Sequence, residues 1–218
     1  MDISPRREII FLAFWIFWPL AAYGQAPARP ETLLDEARRK GFAYRLFVSD
    51  AEGPATLDGL IVKSDAIVRG RVVDEKSRLS DDEYQVLTDY TIEIGKVFKD
   101  LSGKLKEGDR VTVTKEGGNL LLEGHPVRFQ NFEFPPLPWR KPHMFLLTRQ
   151  KEPNRAGWYD FARAQAGVFP IMNGHVECGS KTQPNNPFIK PYCGMDEEKF
   201  QVLVKTKLAE SGKTDTGL

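Results

Sequence analysis

The central part of the chain, from Ala66 to Cys178, is patterned for β-strands. β-branched residues dominate Ala66–Val73, and apolar and polar residues alternate in Tyr90–Ile94 and Arg110–Thr114. The almost continuous apolar run His143–Thr148 is typical of a strand that is buried on both faces. Shorter strands are predicted at Leu120–Leu122, Trp158–Phe161, Val168–Met172 and His175–Cys178.

Glycine positions predict where these strands bend and turn. Gly70 lies in mid-strand and predicts a bend, and Gly95 interrupts the strand that ends near Phe98 and predicts a bulge. Asn173-Gly174 is the pair that a type I′ hairpin turn requires, so the strands on either side of it should pair. Gly117-Gly118 lacks the sequence context of a phosphate-binding loop. We therefore interpret this pair as a tight hairpin turn.

Three segments carry the helical period instead. Residues 31–41 place acids before bases and end in glycine, and residues 55–63 space leucine and isoleucine at helical intervals. Residues 196–209 form an amphipathic pattern with Asp196 as the N-cap. The apolar stripe of this last helix consists of Phe200, Leu203, Val204 and Leu208.

Together these elements predict a mainly β protein, built as a small closed or partly open β-barrel. Short helices precede the barrel, and the C-terminal amphipathic helix is expected to pack on it. A β-sandwich is the alternative, since strand spacing alone does not separate the two. The length fits one domain over residues 31–210, and residues 211–218 are predicted to form a flexible tail.

The first 24 residues have the order of an export signal. Arg6 and Arg7 precede the apolar run Ile9–Trp18, and small residues near Gly24 suit a signal peptidase, with cleavage before Gln25. The run is shorter than the about 20 apolar residues that a membrane-spanning helix needs, although an uncleaved anchor is the alternative. Residues 25–30 are predicted to be a linker, and the mature protein is expected to be secreted or periplasmic, with no stable membrane span.

Charge narrows the choice of partner. The formal net charge is +1, and it stays at +1 without residues 1–24, because that segment contains two arginines and two acidic residues. Nucleic-acid binding needs a basic stripe that neutralises phosphates. The composition therefore argues against nucleic acid, acidic membranes and other polyanions as partners.

Cys178 and Cys193 are the only cysteines. In an oxidising compartment such a pair predicts one disulfide. It would close a loop of about 15 residues and stabilise the fold by roughly 3 kcal/mol on the chain-entropy account. The functional alternative is a nucleophilic Cys178 with His175 beside it, for which the local spacing is weak support, and which a disulfide would exclude.

Several short segments occur along the chain in an order that resembles a known group of proteins. They are Ser64–Val72, Tyr90–Ile94, Gly108–Val113, Glu116–Gly118, Pro135–Leu137 and His143–Leu147. The pattern is similar to that of uncharacterised secreted bacterial proteins whose barrels look like netrin modules and tissue inhibitors of metalloproteinases. The resemblance covers about Ser64 to Met172 and implies an oligonucleotide/oligosaccharide-binding (OB) barrel in a secreted protein.

Two features depart from that group. Lys141-Pro142 stands before the apolar strand, where the group usually has glycine and a charged residue. The inhibitors chelate zinc through an N-terminal cysteine, whereas the predicted mature terminus here is Gln25. The resemblance therefore implies a fold and a compartment, and it does not carry over the inhibitory mechanism.

The segment Phe129–Pro142 interleaves aromatic residues with prolines. It is predicted to be a loop or a sheet-edge segment, because proline cannot donate to a strand ladder. Rigid aromatic and arginine side chains are typical of a recognition surface. The candidate binding residues are Arg128, Phe132, Phe134, Trp139 and Arg140. The alternative is that the aromatic side chains fold back and plug one end of the barrel.

The histidines do not form a recognised catalytic or metal-binding motif. His125 with Glu123, and His175 with Glu177, have the spacing of neighbours on one strand face, but paired ligands such as His-Glu-x-x-His are missing. We therefore predict no metal site, no catalytic residue and no cofactor. His143 opens the central apolar strand, so its environment is the one to determine first.

The sequence predicts a secreted, non-enzymatic binding or interaction module of the bacterial envelope or extracellular space. Its partner is an unknown protein or envelope ligand, and its expected contact surface is residues 129–141. The alternative is a Cys- or metal-dependent hydrolase that uses Cys178, His175 or His143. A purely structural envelope component differs from the first hypothesis only in what it contacts.

Overall fold

A computed structural model describes residues 29–47, 56–131, 136–151, 157–162, 167–177 and 190–214. The chain divides into two units, Met1–Glu31 and Thr32–Leu218, and all elements below belong to the second. The helices are α1 (Leu33–Lys40), α2 (Leu57–Lys63) and α3 (Glu197–Thr214). The strands are β1 (Ala43–Phe47), β2 (Ala66–Leu79), β3 (Val86–Asp100), β4 (Arg110–Glu116), β5 (Gly118–Leu122), β6 (His125–Asn131), β7 (Pro142–Arg149), β8 (Trp158–Phe161), β9 (Val168–Met172) and β10 (His175–Val176).

Five strands form a ring. β2, β3 and β4 make an antiparallel meander, β4 pairs in parallel with β8, and β7 pairs with both β8 and β2. The short β8 contributes only three residue pairs on each side, so the ring is partly closed. The mainly β, partly open OB-like barrel is confirmed, and the ring distinguishes it from the sandwich alternative.

Glycine permits the sharp curvature that the ring requires. The register between β2 and β3 shifts between Arg69 and Gly70, and Gly95 is the extra residue on β3. A Cβ at Gly70 would lie 2.7 Å from the carbonyl oxygen of Glu93, so no larger residue fits without a shift of the backbone. The predicted bend and bulge are both confirmed.

A second sheet holds three strands in the order β1-β6-β5, and most of it was not predicted. β1 pairs in parallel with β6, so the first part of the segment predicted as a loop or a sheet-edge segment, up to Asn131, belongs to the middle strand of this sheet. The predicted hairpin turn at Gly117-Gly118 is wrong, because β4 and β5 belong to different sheets. Gly118 lets the chain cross between them, since a Cβ there would meet the hydroxyl groups of Thr88 and Ser77.

The other predicted elements agree closely with the structure. Asn173 and Gly174 both have positive φ and join β9 to β10 as expected. Thr32 caps the start of α1, and Gly41 in the left-handed conformation ends it. The Asp196 carboxylate accepts from the backbone N–H groups of Glu198 and Lys199, which confirms it as the N-cap of α3. The helix runs past the predicted end to Thr214, into the segment predicted as a tail.

Apolar side chains pack on both sides of the barrel wall. Inside the barrel, β2, β3, β4, β7 and β8 contribute a cluster that includes Val68, Ile92 and Phe145. Outside, the other face of β7 packs against α2 and α3, and Phe200 is fully buried in that layer. α3 therefore packs on the barrel as predicted. None of the helices in the described part of the chain is long and apolar enough to cross a membrane.

Candidate functional site

The described part of the proline-rich segment after β6 is residues 136–141, and it brings one side chain into the barrel interior. Phe132 and Phe134 lie outside the described residues. Leu137 is buried and belongs to the apolar cluster inside the barrel. Leu137 was not among the predicted binding residues, and a plug formed by Phe132 and Phe134 stays a prediction.

Tyr90 holds the segment in place from inside the barrel. Burial, together with the nearby Glu75 carboxylate, raises the pKa of its hydroxyl to about 12, and a hydrogen bond with the Leu137 backbone opposes that shift. The phenol is therefore neutral at physiological pH. A second anchor follows at once, because the Arg140 N–H donates to the Val72 carbonyl oxygen over 3.0 Å.

Between these two anchors the segment presents Trp139 at the surface. The side chain of Trp139 is 48% exposed, whereas most other large apolar residues of the barrel are buried. Arg140, which is exposed, has φ 54°, a left-handed conformation that is uncommon for a residue with a side chain. The fold therefore places an exposed tryptophan and an exposed arginine within residues 137–141, at the rim of the barrel.

A cleft of about 350 Å³ opens beside Arg140 on the outer face of the barrel. Arg69 and Arg71 project from β2 on the face opposite to the buried Val68 and Val72. The backbone at Gly70 and Gly95 forms part of the cleft lining. The lining also includes Glu93 and Pro142.

Arg128 occupies a different surface from Arg140. It is exposed on β6, on the outer face of the three-stranded sheet, between Tyr44 of β1 and Asn119 of β5. Tyr44, Leu46 and Leu121 are large apolar residues exposed on the same sheet. The structure thus brings Trp139 and Arg140 together at the rim and places Arg128 on another face.

His143 is fully buried inside the barrel. Its ring stacks on Phe145 at a centroid distance of 5.2 Å, and Nδ1 donates to the Lys141 carbonyl oxygen over 2.8 Å. Nε2 has no hydrogen-bond partner among the described residues. Burial lowers the pKa of this imidazole to about 4, and the Lys141 hydrogen bond opposes that shift. A neutral, enclosed imidazole does not contact solvent or a surface ligand.

The remaining histidines and acids do not converge. His175 is exposed at the start of β10, and Glu123 forms a two-point hydrogen bond with Arg38. Within the described ranges, no group of three or more His, Cys, Asp or Glu side chains has the arrangement of a metal site. The hydrolase alternative is untested by this arrangement, because Cys178 lies outside those ranges.

The predicted disulfide is described at one end only. Cys193 lies in the turn between the short 3₁₀ helix Lys190–Tyr192 and α3. No cysteine among the described residues is a free thiol. The Cys178–Cys193 bridge stays a prediction.

The sequence interpretation missed the arginines that line the cleft. The signal is local: Arg69 and Arg71 alternate around Gly70 in a strand whose other positions are apolar, so both must point away from the core. Their proximity to Arg140 depends on how the proline-rich segment returns over β2, which no local pattern shows.

Comparison with known proteins adds no family to these observations. The sequence matches no family model and no curated protein. Any functional inference therefore rests on the rim, the cleft and the exposed sheet face.

Proposed function

We propose that this chain is an exported, non-enzymatic interaction module that binds a protein or envelope ligand through the rim of its OB-like barrel. The rim is residues 137–141 together with the cleft beside Arg140. The observation that carries the proposal is the exposure of Trp139 on a segment anchored by Leu137 and by the Arg140 N–H. Tryptophan and arginine dominate the binding energy of many protein interfaces, and a fixed segment loses little entropy on binding.

Export is the second part of the proposal. It rests on the basic and apolar order of residues 1–24, all of which lie outside the described residues. It is consistent with a Cys178–Cys193 bridge and with a resemblance to netrin-like barrels. An intact mass that starts at Gln25, for protein recovered outside the cytoplasm, is the expected result. A full-length mass would contradict this part.

Replacement of Trp139 tests the interaction directly. Trp139→Ala should lower capture of the partner from the native envelope by about 30-fold, the effect of losing an interface residue worth about 2 kcal/mol. The melting temperature should change by only about 2 °C, because nearly half of the side chain is exposed.

Val202→Ala is the matched control, since Val202 is an apolar residue of α3 that is 61% exposed. It should change neither capture nor melting temperature. Unchanged capture by Trp139→Ala would disprove the rim as the contact surface. A large loss of stability would instead show that Trp139 contributes to the barrel core.

A further inference from the structure

The cleft beside Arg140 is a concave surface rich in arginine. Arg69, Arg71 and Arg140 line it with one carboxylate, that of Glu93. The whole chain carries a formal net charge of only +1, so this concentration of arginines is local. Guanidinium ions that outnumber the carboxylates in a concave site raise the local concentration of anions.

The existing ion pairs leave part of this charge unmatched. Arg71 contacts Glu93 at 2.7 Å, and Arg110 approaches the other oxygen of Glu93 at 4.0 Å. Arg69 pairs with Glu197 at the start of α3. Arg140 has no ion pair with any described residue. Glu93 is therefore shared by Arg71 and Arg110, and Arg140 has no carboxylate partner in the described part of the chain.

The backbone that carries this guanidinium is held in place. The backbone of Arg140 is fixed by its N–H bond to Val72, and Pro142 follows two residues later as the first residue of β7. Guanidinium groups donate two parallel hydrogen bonds to a carboxylate when their orientation is fixed in advance. Trp139 precedes Arg140 and provides an apolar surface next to the charge.

We infer that the cleft binds a side-chain carboxylate of an acidic segment in the partner protein, with Arg140 and Arg71 as donors. This inference rests on the proposed interaction function and specifies its partner. A protein segment suits the site better than a free anion, because the aromatic side chain of Trp139 is exposed beside the arginines. Arg69 keeps its bond to Glu197 and contributes charge to the cleft without donating to the ligand.

A peptide titration tests this assignment. The probes are the acetylated, amidated peptide Gly-Glu-Gly-Glu-Gly-Glu-Gly and the same peptide with Gln in place of Glu. The readout is the set of arginine Nε–Hε signals of the ¹⁵N-labelled protein. The acidic peptide should shift the Arg71 and Arg140 signals to saturation, and added salt should weaken the effect. The Gln peptide should shift neither.

Two variants locate the effect. Arg140→Gln should weaken binding of the acidic peptide by about tenfold, the effect expected for one charge-assisted hydrogen bond. Arg128→Gln removes an exposed arginine of β6 outside the cleft and should leave the Kd within about twofold. Equal binding of both peptides, or full binding by Arg140→Gln, would overturn the inference. So would inorganic phosphate that displaces the peptide at lower concentration than the peptide itself needs, which would indicate a free-anion site.

The peptide titration does not use the native partner, so its result is independent of the capture assay. If it fails while capture still depends on Trp139, the acidic-segment inference is wrong and the proposed function stands. If capture is also independent of Trp139, both are wrong.

Discussion

His143 is a polar ring enclosed in a mainly apolar barrel interior. One nitrogen is satisfied by the Lys141 carbonyl oxygen, and the other faces no partner in the described part of the chain. A buried imidazole of this kind is tolerated only in its neutral form, because charging it without solvation or a counter-ion is unfavourable. The residue therefore couples the stability of the barrel to pH.

We predict that acid destabilises the fold between about pH 6.5 and pH 4 because of His143. The folded pKa is about 4, below the reference value of 6.5, so the unfolded chain binds more protons in this window. The contribution is present above pH 6.5 and is lost as the pH falls towards the folded pKa, to a total of about 3 kcal/mol.

Urea unfolding at several pH values measures this effect. His143→Leu keeps a similar volume and removes the titrating group, so its stability should depend less on pH within the window. The two proteins share all other titrating groups. Equal slopes for the wild type and the variant would show that His143 is solvated or paired.

Residue identity predicted part of the rim but not its arrangement. The arginine and aromatic composition of residues 128–140 pointed to Trp139 and Arg140, which are exposed in the structure. It did not show that Leu137 is buried inside the barrel or that Arg128 lies on the three-stranded sheet. Burial of one residue in a proline-rich segment depends on the shape of the space it enters, which is a tertiary property.

At the scale of elements, α3 shows how one helix is fixed to the barrel wall. Phe200 is fully buried, and its ring centroid lies 5.0 Å from that of Phe169 on β9. Val202 lies on the same helix and is 61% exposed. The helical period alone separates these two environments.

We expect Phe200→Ala to destabilise the fold by about 3–5 kcal/mol, since it leaves a cavity between α3 and β9. Val202→Ala should change the free energy of unfolding by less than about 0.5 kcal/mol. Chemical denaturation of the two variants provides the comparison. Similar losses for both would show that α3 does not pack on the barrel through the stripe that contains Phe200.

Most strands were predictable from their sequence pattern, and β1 was not. β8 and β9 have the predicted bounds, β2 continues past its predicted end to Leu79, and β3 ends two residues beyond Phe98. β1 was missed because it is short and its only described strand partner, β6, lies far along the chain and runs parallel to it. The hairpin turn predicted at Gly117-Gly118 was wrong because glycine suits both a hairpin turn and a crossing from one sheet to another.

At the scale of the whole molecule, ring closure decides where the candidate site lies. The return of the proline-rich segment over β2 places Arg140 beside Arg69 and Arg71, which lie far from it in sequence. A near-neutral protein thereby acquires a local basic cleft next to an exposed tryptophan. Net charge is an average over the whole chain, so it could not show this concentration.

The central claim is that the barrel rim at Trp139 contacts a partner in the exported protein. The most direct test places a photo-crosslinking phenylalanine derivative at position 139 or at position 101, where Leu101 is 68% exposed between β3 and β4. Irradiation in the native envelope should give a defined adduct from position 139 and not from position 101. Absence of an adduct from a folded protein labelled at 139, or the same adduct from both positions, would contradict the account.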